Sequence, residues 1–117
     1  MKLQLQEGSL RLRIDERELA GLLAGHALEL AVRAQREPFL HLTVVLAPSL
    51  SLVREGDHWR LQLPDAALHA YAKTLPRRDA LSLVLSEDLG IDFEVDVRDS
   101  IRQRGARRRA EPPPPEK

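Results

Sequence analysis

Apolar and polar residues alternate from Lys2 to Gln6 (KLQLQ) and again from Leu10 to Ile14 (LRLRI). A period of two places Leu3, Leu5, Leu10, Leu12 and Ile14 on one face of a strand pair. Glu7-Gly8-Ser9 between them has turn chemistry, with Gly8 free to take a positive φ. The period then changes. Asp15 is a helix N-cap, Glu16 and Glu18 suit the positive end of the helix, and Leu19, Leu22 and Leu23 form one apolar stripe. Gly25 closes that helix. Ala27–Arg33 and Phe39–Leu46 read as the next hairpin, linked by Gln35-Arg36-Glu37-Pro38. Its buried rows are Leu28, Leu30 and Val32, then Leu40, Leu42 and Val44. Ala47-Pro48-Ser49 is a boundary, because proline interrupts strand pairing.

The same grammar is then written again. Leu50 and Leu52 answer Leu3 and Leu5, Glu55-Gly56 answers Glu7-Gly8, and Trp59–Leu63 answers Leu10–Ile14. Pro64-Asp65 opens a helix, with Leu68, Tyr71 and Ala72 in the places of Leu19, Leu22 and Leu23. Leu75-Pro76 ends it, and Ala80–Leu85 with Ile91–Val97 close the unit as a hairpin around Ser86–Gly90. The expected fold is α+β: a mainly antiparallel sheet from two ββαββ repeats, 3–46 and 50–97, related by a pseudo-twofold axis. Two helices pack on one leucine-rich face, and the sheet is either open or curled toward a barrel.

Periodicity stops after residue 98. Residues 1–98 hold 12 basic and 15 acidic groups, a net of −3, whereas 99–117 hold 6 and 3, a net of +3. The expectation is a single domain over 1–98 and a disordered, basic, proline-rich tail over 99–117, where four successive prolines favour polyproline II. The zero net charge of the whole chain argues against general attraction to nucleic acid or membrane. Without cysteine there is no disulfide, thiolate metal site or cysteine nucleophile. The N-terminus lacks the apolar run of a signal peptide, and no stretch reaches the roughly 18–20 apolar residues of a membrane span. A soluble, cytoplasmic protein is expected.

The opening Met1–Arg13 (MKLQLQEGSLRLR) followed by Glu18-Leu19 resembles a family of short bacterial proteins of unknown function that begin MKIRI…NSIRLRLT…EV. The likeness is carried by about the first 20 positions. It implies a small bacterial α+β domain and brings no activity with it. Duplicated strand–helix–strand units also resemble, in topology, the tunnel of triphosphate-hydrolysing enzymes. Those enzymes start on an acidic Glu-x-Glu-x-Lys strand, where this chain has Lys2-Leu3-Gln4-Leu5-Gln6. Glutamine brings no charge to a hard cation, so that activity is not expected.

Candidate chemistry is sparse. Arg11, Arg13 and Arg60 fall on the polar face of equivalent strands, with Lys2 close in sequence. Turned into a concave surface they would converge on an anion; on an open sheet they would pair with Glu29, Glu94 or Asp96 across strands. His26, His41, His58 and His69 are 15, 17 and 11 residues apart and match no local ligand motif, so neither a metal site nor a cofactor is expected. No Gly-x-Ser-x-Gly elbow or phosphate loop is present. Glu87, Asp88, Asp92, Glu94 and Asp96 could hold a cation, but strand alternation explains the last three as a solvated row. Arg102, Arg104, Arg107, Arg108 and Arg109 could touch nucleic acid weakly and without specificity, no aromatic residue being interleaved for stacking. The expected function is a non-catalytic binding or adaptor domain whose partner, a protein or an anionic ligand, the sequence does not identify. The competing reading is an enzyme or carrier for an anionic, phosphate-bearing small molecule on the arginine face. Neither involves a membrane.

Overall fold

The computed structural model of the chain describes residues 1–76 and 79–97. Among the described residues, eight strands and two helices follow in the order β1 (Lys2–Gln6), β2 (Ser9–Asp15), α1 (Glu16–Leu23), β3 (Leu28–Ala34), β4 (Glu37–Ala47), β5 (Ser51–Glu55), β6 (His58–Pro64), α2 (Asp65–Ala72), β7 (Leu81–Ser86) and β8 (Leu89–Asp96). The expected element order is therefore present, and the fold is α+β with strand predominating.

The assembly differs from the expectation. The strands make two four-stranded sheets, β1-β2-β8-β7 and β3-β4-β6-β5, and neither is a closed barrel. Hairpins are antiparallel, but the sheets are mixed: β2 pairs with β8 in parallel, and β4 with β6 in parallel. The reason is physical. Each helix carries the chain from one sheet to the other, so the two hairpins of a half never share a sheet. Each hairpin is completed by one from the other half. Period-two alternation fixes which face a strand buries and leaves its neighbour open.

The two halves correspond at an offset of 49 residues, except that β3 and β7 differ by 53: Leu28 lies opposite Val44 and Leu81 opposite Phe93. Leu10, Leu12 and Ile14 lie beside Ile91, Phe93 and Val95. Moved by 49 residues, forward for the first set and back for the second, they become Trp59, Leu61 and Leu63 beside Leu42, Val44 and Leu46, which is the pairing found. The same offset takes Leu3 opposite Leu12 to Leu52 opposite Leu61. It also corrects the alignment of the turns. The β1–β2 turn is Glu7-Gly8 and the β5–β6 turn is Gly56-Asp57, so the glycines occupy different corners, both with positive φ.

The four central strands and both helices supply one core: Leu10, Leu12, Ile14, Leu42, Val44, Leu61, Leu63, Ile91, Phe93 and Val95, with Leu19, Leu22, Leu68 and Tyr71 from the helices. α1 touches β2 and β8 of one sheet and β3 and β4 of the other, so it does not rest on a single sheet face. Helix starts differ. The Asp15 side chain accepts from the Glu18 backbone N–H at 2.8 Å, and Glu18 Oε1 accepts from the Asp15 N–H at 3.0 Å. This reciprocal arrangement satisfies two otherwise free donors. Pro64, its counterpart before α2, offers no side-chain cap. The β3–β4 turn is shorter than expected: Gln35 and Arg36 alone make it, both with positive φ, and Glu37 and Pro38 join β4 at a register shift.

Candidate functional site

Edge strands leave an opening in the core. A cleft of about 240 Å³ between the sheets is lined by Leu3, Leu5, Leu10, Leu40, Leu42, Leu52, Trp59 and Leu89. Six of these form three pairs under the 49-residue offset: Leu3 with Leu52, Leu10 with Trp59, and Leu40 with Leu89. The cleft is thus built from both sheets by corresponding residues, and its lining is almost wholly apolar. Its two rims differ. On β5 the Arg54 guanidinium covers the Trp59 ring, 5.7 Å from its centroid, and donates to the Gly56 carbonyl at 2.9 Å. On β1 the corresponding residue is Leu5, which is 65% exposed. Phe39, next to Leu40, is also exposed.

The arginines expected to converge do not all meet. Arg11 and Arg13 line a concavity of about 330 Å³ with Lys2, Gln4 and Glu94, on the outer face of the β1-β2-β8-β7 sheet. Arg60 lies in the other sheet, between Thr43 and Val53. Arg11 is engaged by carboxylates, with Nη1 3.2 Å from Glu94 Oε1 and Nη2 3.8 Å from Asp92 Oδ2. The alternating acidic row of β8 is therefore partly its counter-charge. Arg13 differs: its Nε is buried without a hydrogen-bond partner. The tail arginines Arg102, Arg104, Arg107, Arg108 and Arg109 lie outside the described residues.

The histidines separate into three places. His26 is exposed beyond α1, and His69 pairs with Asp65 one helical turn before it, at 3.0 Å. His41 and His58 come together as register partners across β4 and β6, with rings stacked 4.0 Å apart and 11° from parallel. His41 Nε2 is 2.6 Å from Glu29 Oε1 on β3, and Thr43 Oγ1 is 2.5 Å from His58 Nε2. The bond to His41 outweighs the opposing desolvation and holds the Glu29 carboxyl below its ordinary value. Sequence spacing concealed this cluster. The 17-residue spacing of His41 and His58 becomes direct contact only once β4 is known to pair with β6. The signal available beforehand was that 29, 41 and 58 all fall on polar, outward positions of their strands.

No family model matches the chain, and no curated protein matches it. The N-terminal resemblance rests on its residues alone.

Proposed function

We propose that this chain is a small, non-catalytic binding domain, bacterial and cytoplasmic, that receives an extended segment of a protein partner at the apolar cleft. The observation that carries this reading is the conjunction of edge strand and cleft at β1. Its outer edge has no strand beside it among the described residues, and its inward leucines, Leu3 and Leu5, form one wall of the cleft. An added strand along β1 gains backbone hydrogen bonds and sets alternate apolar side chains over Leu5 and Leu40. Exposed apolar surface of this kind marks interaction sites. The β5 rim is less suited, since Arg54 already covers Trp59. The same reading takes the halves as copies of one ββαββ unit, and the cleft is where corresponding residues of the two copies meet.

The test is a titration of the isotope-labelled full chain, followed by NMR, with a peptide of alternating leucine and serine and separately with laurate. The peptide should shift the Lys2–Gln6 amides and the methyls of Leu3, Leu5 and Leu40, and Leu5→Ser should remove the effect. Response to laurate alone would replace this reading with lipid carriage, and response to neither would refute it.

Arg13 supports a second reading. A buried guanidinium nitrogen without a partner, beside Lys2, would be satisfied by a small oxyanion such as a phosphate group. Titration with inorganic phosphate should then shift the Arg13 Nε–H resonance, and Arg13→Met should abolish phosphate binding. An unmoved resonance would remove this alternative.

A further inference from the structure

We propose that Glu29, His41 and His58 form a binding site for a divalent transition-metal ion of the zinc class. One ligand atom from each residue lies within 4.8 Å of the other two. A tetrahedral ion with bonds of about 2.0–2.1 Å needs neighbouring ligand atoms about 3.4 Å apart. To bind the ion the two imidazoles leave their present stack, 4.0 Å apart and 11° from parallel, each turning a nitrogen lone pair toward it, and Glu29 Oε1 opens from its 2.6 Å contact with His41 Nε2. The three residues sit on β3, β4 and β6, adjacent strands fixed by backbone ladders, so the site stands on rigid elements. Two imidazoles and one carboxylate suit zinc and its neighbours, whereas calcium and magnesium prefer oxygen alone.

The surroundings fit the assignment. Thr43, 96% removed from solvent, holds its hydroxyl against His58 Nε2, the kind of contact that orients a ligating imidazole. Glu29 and His41 keep 55% and 40% of their side-chain surface exposed, which gives an ion access and leaves a fourth position toward water. Glu55, opposite His58 in register, adds negative charge to this face, and Arg60 beyond it adds positive charge. The fold itself does not call for these side chains. At the corresponding positions of the other sheet stand Ser82, Gly90 and Ser9, and the same strand pairing forms there without them.

The experiment is calorimetric titration of the chelator-stripped full chain with zinc chloride, paired with visible spectroscopy on addition of cobalt(II). One ion per chain should bind, and cobalt should give the absorption bands of a low-coordinate site. Thr43→Val should weaken binding by about 10- to 100-fold. His41→Ala, His58→Ala and Glu29→Gln should each weaken it by at least as much, while His69→Ala leaves it unchanged. Circular dichroism and melting of each variant keep loss of folding apart from loss of a ligand. Zinc binding that survives the His41→Ala/His58→Ala pair, or an unmodified chain that gives neither heat nor cobalt bands, would overturn the site and leave a hydrogen-bonded histidine pair.

Discussion

Leu61 is the register partner of Val44 across the parallel β4–β6 pair, and neither side chain retains any exposure to solvent. The pair stands where Leu12 and Phe93 stand in the other sheet, so each sheet presents an equivalent buried row to the core. Truncation at this position leaves a cavity that no edge strand can collapse to fill. Leu61→Ala should therefore cost about 2–5 kcal/mol in denaturant unfolding. A loss under about 1 kcal/mol would be inconsistent with the register.

Leu5 is expected to behave oppositely. It lies at the cleft mouth, largely exposed, so Leu5→Ser should change stability by no more than about 0.5 kcal/mol. The same substitution should abolish peptide binding at β1. A fall in stability as large as that for a core leucine would mean that Leu5 is packed in solution.

The Gln35-Arg36 turn has φ values of 53° and 69°, left-handed at both corners. Neither residue is suited to that region, whereas Asn-Gly is the pair such two-residue hairpins favour. Replacing Gln35-Arg36 by Asn-Gly should raise stability by about 1 kcal/mol, measured as a shift of the urea midpoint at constant slope. No gain would show that the strands dictate the turn.

Asp15 caps α1 from both sides of a reciprocal bond. Asp15→Ala should destabilise by about 1 kcal/mol. Pro64→Ala should not show this cap-related loss, because no side-chain bond is removed there. Equal losses at the two sites would deny the cap its role.

Ser86 Oγ donates to Asp88 Oδ1 at 2.6 Å and, with the residue's own backbone N–H, holds this carboxyl below its ordinary value of 3.8. The stabilisation is in place above pH 3.8 and is lost as pH falls through the lower folded value. Ser86→Ala removes the larger cause, so the Asp88 midpoint should rise toward 3.8 when followed by carboxyl chemical shift. An unchanged midpoint would assign the effect to the backbone alone.

Much was determined by the sequence alone. Alternation at Leu10, Leu12 and Ile14 and at Trp59, Leu61 and Leu63, the cap at Asp15 and the helical stripe of Leu19 and Leu22 are local signals. They specified ten elements in order and most of the core, because a strand's period and a helix's first turn are set by near neighbours. The alignment of Glu55-Gly56 with Glu7-Gly8 misled by one residue, since either corner of a tight turn accepts glycine.

What surrounds each strand was decided only in three dimensions. Whether β2 finds β3 or β8 depends on where α1 delivers the chain, and that follows from burying the apolar faces of both sheets and both helices in one core. The sites inherit this. Arg60 left the company of Arg11 and Arg13 because the equivalent strands occupy different sheets. His41 met His58 because β4 and β6 were paired in parallel, and no spacing along the chain encodes such a meeting.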